Sequence, residues 1–265
     1  MEYRLSDIHP DATLGKNVTI ENFVTIQADV VIGDGTWVGP HVTIMSGSRI
    51  GKNCQIFTNA VIGADSQDRK KAYQQTYVEV GDDTVIREFV TLNRGTLGNT
   101  IIGAHVLLMA YVHVAHDCII EDHVIVANAT QLAGHVVLQD HAVIGGMAAI
   151  HQFMRIGSYS MVGSQSIVRK DVPPFIKVAH EPLRYAGINS VALQRHGFSQ
   201  EQCDYIHHIY RCIYQSNLSL ASALKMIEEE IKSSQEKQII LDFIRNSSRG
   251  IVKKSNLVPV HVSGI

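Results

Sequence analysis

From Ile8 to Val168 the chain carries an aliphatic residue every six positions. The series runs through Ile8, Leu14, Ile20, Ile26, Ile32, Val38, Ile44, Ile50, Ile56 and Ile62. It resumes at Val80, Ile86 and Leu92, slips by four residues, and continues from Ile102 through Leu108, Val114, Ile120 and Val126 to Val168. Four positions after the aliphatic comes a small or β-branched residue almost every time, as at Ala12, Val18, Thr36, Ser48, Cys54 and Ala60, with Met154 the main exception. A period of six fits neither an α-helix nor a hairpin. It fits a three-sided prism in which each side is a short strand and three hexads make one coil. The aliphatic and small residues point inward, and the Gly, Asn and Asp positions take the corners, where tight backbone is needed. Coils then stack as parallel β-structure, about 4.8 Å apart.

Two interruptions break the series. Between Ile62 and Val80 the next hexads would open on Asp68 and Gln74, which cannot be core, so Asp65 to Thr76 is expected to leave the prism as a loop. A second, shorter loop is expected near Leu97 to Thr100. The repeat is expected to stop at Asp171 to Phe175, where two prolines interrupt the ladder. The remainder reads as helical. Ser199 with Gln202 forms a capping box ahead of one helix, a second runs from about Ser219 to Ile231, and a third follows Ser233 with Glu236 and stops at Gly250. The expected organisation is a β-helix over residues 1–178 with a protruding loop near 65–76, then a small α-helical C-terminal domain over 179–265.

Eighteen-residue coils turn spacing into geometry. Ala115-His116-Asp117 should lie beneath Ala133-Gly134-His135, and that beneath His151-Gln152-Phe153. One edge then collects His116, Asp117, His135, His151 and Gln152 from separated stretches. His113, three residues before His116, falls on a different part of the coil. His105, His123 and His141 form another column at a corner and read as solvated turn residues. The outward position before each inward aliphatic is often apolar, as at Leu107, Ile119, Ile125, Val137 and Val143. A monomer would expose that face, so self-association is expected, and a three-sided prism suits a homotrimer.

Composition narrows the chemistry. The chain has 265 residues, 45% hydrophobic and 18% charged, with a net charge of −2. It carries no general pull toward nucleic acid or an anionic membrane. It has no basic-apolar leader and no apolar run long enough for a membrane span, and a cytoplasmic location is expected. The four cysteines show no CxxC pair and read as reduced thiols. None of the 14 histidines has a partner five residues on, the spacing of the zinc pair in hexapeptide carbonic anhydrases. Neither metal nor cofactor is expected. Acyl transfer is the better reading: a neutral His116 can take a proton from an alcohol, Asp117 can orient it, and Gly134 offers an unobstructed N–H to an oxyanion.

The hexads resemble the hexapeptide-repeat, left-handed parallel β-helix family; the left hand comes from that resemblance, since the usual crossover rule gives the right. More specifically, HVAHDC, the LAGH after NAT, IGGMAAIHQF, DVPPF, GIN and RHGFS resemble the UDP-N-acetylglucosamine acyltransferase family over essentially the whole chain. The resemblance implies transfer of an (R)-3-hydroxyacyl chain from acyl carrier protein to the glucosamine 3-hydroxyl of UDP-N-acetylglucosamine, the opening step of lipid A biosynthesis. It implies His116 as general base, Asp117 as its carboxylate and Gly134 as oxyanion donor. Asp68, Lys70, His135, His151, Gln152, Asn189 and Arg195 match substrate-contacting positions, with His113 lining the same cleft, and Ser164 matches one that limits acyl-chain length. A small residue there would admit a long chain. Asn93 and His196 stand where the family often has histidine and a second basic residue. Arg155, Arg169, Lys170 and Lys177 are candidates for docking the acidic carrier protein. The rival readings are a related sugar N-acyltransferase, a CoA-dependent acetyltransferase, and a non-catalytic β-helical scaffold.

Overall fold

In the computed structural model the described residues are 5–69 and 75–254; Lys70 and the rest of the first loop through residue 74 lie outside them. The chain folds as a mainly β parallel solenoid followed by a small helical part. Among the described residues three faces of nine, eight and ten strands form the prism. The first face runs from Asp7–Ile8 to Ile167–Val168, and the second from Thr13–Leu14 to Arg155–Ile156. The third begins at Thr19–Ile20 and ends with Met161–Val162, Ile176–Ala179 and Arg184–Ile188.

Register follows the hexads. His113 pairs with Gln131, Ile119 with Val137 and Leu107 with Ile125, each one coil apart. Inward residues such as Leu108, Val114, Ile120 and Leu138 are buried. Corner residues adopt left-handed backbone although they are not glycine: φ is 55° at His105, 60° at Asp117, 57° at His123 and 61° at His135. That conformation costs roughly 1–2 kcal/mol per residue. The coil beneath offsets it, because the His123 amide donates to the Ala104 carbonyl (3.0 Å) and the His135 amide to that of His116 (3.0 Å).

Both interruptions return the chain to register. Val61 pairs with Thr91 and Thr91 with His113, twelve and four residues beyond a normal coil. The prolines do not end the ladder, contrary to expectation. Pro173 and Pro174 turn a corner, where no strand amide is needed, and Ile176–Ala179 rejoins the third face parallel to Met161–Val162. Arg184–Ile188 then adds antiparallel.

Among the described residues four helices follow: α1 (Ser190–Arg195), which the sequence did not announce, α2 (Gln200–Tyr214), α3 (Leu220–Glu230) and α4 (Gln235–Arg245). Ser199 and Gln202 make the expected capping box on α2. The cap of α4 is Ser234 rather than Ser233, and that helix ends at Arg245 rather than Gly250. It ends early because the chain is drawn back to the prism: Ser247 Oγ donates to Asp171 Oδ2 (2.6 Å) and the Asp171 amide donates to the Gly250 carbonyl (3.0 Å). The Tyr210 hydroxyl donates to the Pro174 carbonyl (2.6 Å), fixing α2 to the end of the solenoid. No helix among the described residues is long and apolar enough to cross a membrane.

The outward apolar residues lie on two faces, not one. Ile101, Ile119 and Val137 stand on the second face, and Val85, Leu107, Ile125, Val143 and Met161 on the third. The histidine column runs along the corner between these faces and is more than solvated turn. His105, His123 and His141 stack at 4.8 and 4.6 Å, Tyr159 continues the stack at 4.7 Å, and His196 packs against His141. Burial, reinforced by His196 and His123, holds the His141 imidazole below its ordinary pKa.

Leu138 has no exposed surface. Leu138→Ala is expected to cost about 2–5 kcal/mol, seen as a lower urea midpoint at neutral pH. A loss within error would mean that this inward column is not close-packed.

Candidate active site

The expected polar edge forms at the corner between the first and second faces. His116 is 5% exposed. Its Nδ1 lies 2.7 Å from Asp117 Oδ2. A carboxylate can only accept, so Nδ1 carries the proton and Nε2 presents a lone pair. The ring lies against the Gly134 backbone: a Cβ there would come within 2.5 Å of His116 Nε2 and Cε1. Glycine is required here for close approach.

Gly134 also carries an open donor. At the corner between the second and third faces, the equivalent amides of Ala104 and Asp122 are taken by Asp carboxylates of the next coil (2.7 and 3.0 Å). Among the described residues no acceptor takes the Gly134 N–H.

The Asp117 side chain, 6% exposed, sits in a nest of three consecutive amides from the second loop. Thr96 N donates to Oδ2 (2.9 Å), while Leu97 N and Gly98 N donate to Oδ1 (2.9 and 2.7 Å). Burial alone would raise the carboxyl pKa. The Gly98 amide, the His116 imidazole and the Thr96 and Leu97 amides outweigh burial and hold it below the ordinary value. His135 Nε2 lies 3.8 Å from Asp117 Oδ2, and its ring meets His116 edge-on.

The cleft beside His116 is lined by Asp68 and Arg69 of the first loop, His113, Gln131, Gly134 and Gln152, among others. His113 bonds Thr91 Oγ1 (2.8 Å), and burial lowers its pKa, favouring the neutral ring. His151 is exposed and does not line this cleft. Asn189, Arg195 and Ser164 also lie off it within one chain. Asn189 is buried at the start of α1, with Nδ2 donating to the Tyr159 carbonyl (2.9 Å). Arg195 is exposed in the last turn of α1, and Ser164 is exposed at the corner between the third and first faces.

His116, Asp117 and His135 bring ligand atoms within 4.8 Å of one another, close enough to hold an ion. The Asp117 oxygens, however, already accept three amides and the His116 ring, so a cation there would displace those bonds. The arrangement suits proton transfer rather than ligation. Sequence reasoning missed the nest, because a backbone N–H is donated by almost any residue; the interrupted register was its only signal.

The depressed Asp117 pKa gives a signed expectation. A group whose folded pKa lies below its unfolded value, 3.8 here, contributes stability above that pH and loses it as pH falls through the folded pKa. Asp117→Asn should therefore lower stability at pH 7 by about 1–3 kcal/mol. It should also flatten the decline below pH 3.8 in urea midpoints measured across the acid range. An unchanged acid slope would contradict the assignment.

Comparisons with known proteins converge on one family. Residues 171–252 match the family model described as UDP-N-acetylglucosamine O-acyltransferase, domain 2. Residues 29–64 and 99–134 match the bacterial transferase hexapeptide model. The acyl-[acyl-carrier-protein]–UDP-N-acetylglucosamine O-acyltransferase of Xanthomonas axonopodis pv. citri (strain 306) is 44% identical over 250 residues, 93% of this chain and 95% of the relative. The UDP-N-acetylglucosamine acyltransferase structure from Bacteroides fragilis 9343 superposes with a TM-score of 0.93 at 46% identity, covering 96% of this chain and 100% of that one. The one from Acinetobacter baumannii gives 0.90 at 39% identity, covering 94% and 98%. With a β-solenoid, a helical C-terminal part and identity sustained across nearly the whole length, the chain belongs to the acyl-[acyl-carrier-protein]–UDP-N-acetylglucosamine O-acyltransferase family.

Proposed function

We propose that this protein transfers an (R)-3-hydroxyacyl chain from acyl carrier protein to the 3-hydroxyl of UDP-N-acetylglucosamine, with His116 as general base. The observation that carries the chemistry is the His116 ring held between the Asp117 carboxylate and the Gly134 backbone. His116 Nε2 accepts the proton of the sugar hydroxyl as its oxygen attacks the thioester carbonyl. Asp117, ionised in its amide nest, fixes the tautomer and stabilises the imidazolium that forms. The tetrahedral oxyanion takes the Gly134 N–H. The carbonyl re-forms as the C–S bond breaks, and His116 returns the proton to the departing thiolate. The net exchange is one ester formed and one thioester broken, with no redox step.

The acceptor sugar lies in the cleft against Asp68, His113 and Gln152; His135, beside His116, and His151 carry their assignments by resemblance. Lys70 carries its assignment by resemblance, since it lies outside the described residues. Three copies complete the site. The outward apolar rows on two faces favour packing against neighbouring chains, and a neighbour would bring its own Asn189, Arg195 and Ser164 toward this cleft. Acyl-carrier-protein dependence fits a cytoplasmic enzyme.

Two outcomes test this reading. His116→Ala should keep the assembly and melting temperature while transfer from 3-hydroxyacyl carrier protein falls by about 10²–10⁴. Gly134→Ala should also lose activity, because its methyl group would displace the ring. Near-wild-type turnover in either variant would refute the assignment. Sedimentation equilibrium should return the mass of three chains, and a monomer at assay concentration would overturn the trimer.

A further inference from the structure

The two excursions from the hexad register do not leave the prism independently; they are laced together. Asn93 Nδ2 donates to the Asp65 carbonyl (2.9 Å), and Thr76 Oγ1 donates to that of Gly95 (2.7 Å). One link in this lacing leads into the site. The Asp68 amide donates to Ser66 Oγ (3.1 Å), and Ser66 Oγ lies 2.5 Å from Thr96 Oγ1. The Thr96 amide donates to Asp117 Oδ2, which is bonded in turn to His116 Nδ1. Thr96 is 1% exposed and serves both ends: its hydroxyl belongs to the first loop and its backbone to the carboxylate.

We propose that Ser66 and Thr96 are positioning residues whose hydroxyl pair ties the loop carrying Asp68 to the amides that aim Asp117, and so aligns His116. For transfer activity the inference rests on the function proposed above. Its physical basis is tolerance. The described part of the twelve-residue excursion, residues 65–69 and 75–76, carries no strand of its own, and a displacement of about 1 Å at a reacting pair can cost about a hundredfold in rate. Neither hydroxyl touches substrate-facing atoms of His116. Ser66 contacts neither His116 nor Asp117, so a purely structural role in the loop would leave the His116–Asp117 hydrogen bond undisturbed.

The test uses the full-length protein and two readouts. The first is solvent exchange of the His116 Nδ1–H proton, followed by proton NMR without any turnover. The second is kcat and KM for UDP-N-acetylglucosamine in acyl transfer. Ser66→Ala and Thr96→Val should each speed the proton's exchange and lower kcat, both by about tenfold, with KM little changed. The double variant should be no worse than either single one, because both remove the same bond. Thr96→Ser should restore both readouts. Unchanged proton exchange in Ser66→Ala, or single losses that multiply in the double variant, would overturn the proposal. Should Thr96→Val fail to fold, Ser66→Ala at the half-exposed loop root decides the matter alone. If the wild-type protein transferred no acyl group, the functional reading would fall, while proton exchange would still settle whether the tie exists.

Discussion

Everything in this molecule depends on the hydrogen-bonded stacking of one coil on the next. Most corner amides reach the carbonyl of the coil below, as His135 does to His116, while that of Asp117 donates to Thr100 Oγ1 (3.0 Å), and each strand repeats the ladder along its face. The ladder makes residues one coil apart into neighbours, and it sustains left-handed backbone at His123, His135 and His141, where an isolated residue would avoid it. His116 meets Gly134 because the stack leaves them no other arrangement. The same force stacks the rings of His105, His123, His141 and Tyr159. One geometric rule thus yields a catalytic contact at one corner and an aromatic column at another.

The site arises where the stack is locally broken. An unbroken corner would have left Asp117 in solvent like Asp122. The four-residue excursion instead covers it and supplies three amides in return for lost water. Desolvation and hydrogen bonding compete at this carboxylate, and hydrogen bonding wins. Among the described residues the amides, not a lysine or arginine, keep the ion charged; the His116 imidazole bonds it and His135 Nε2 stands 3.8 Å away. An arginine in that place would have neutralised the carboxylate and weakened its hold on the imidazolium.

Much of this was legible in the sequence, for a definite reason. An inward aliphatic every sixth residue is a strong pattern, and even the lengths of the excursions, twelve and four residues, could be read from where the phase returned. The pairing of His116 with Gly134 followed from the same count. What escaped was set by tertiary contact. The strand after Pro173 and Pro174 depends on a corner that the prolines happen to suit. The early end of α4 depends on Asp171, far away in sequence. The hexad period marks outward apolar positions, but successive hexads fall on different sides, so these rows divide between two faces. Asn189 and Arg195 were named from resemblance alone, and one chain's geometry does not bring them to His116.

The return of both excursions to phase has a broader consequence. The solenoid counts in coils, so its length and its chemistry are separable quantities. Three consecutive coils, carrying His116, Gly134 and Gln152, together with the covering loops, line one chain's share of the cleft; the coils at the N-terminal end lie outside that lining. A lineage could add or remove a whole coil near the N-terminal end and inherit the site unchanged. A single-residue insertion between His116 and Gly134 would instead shift every later side chain to a new side of the prism. Such a fold should tolerate duplication far better than small insertions, and its history should be written in multiples of eighteen.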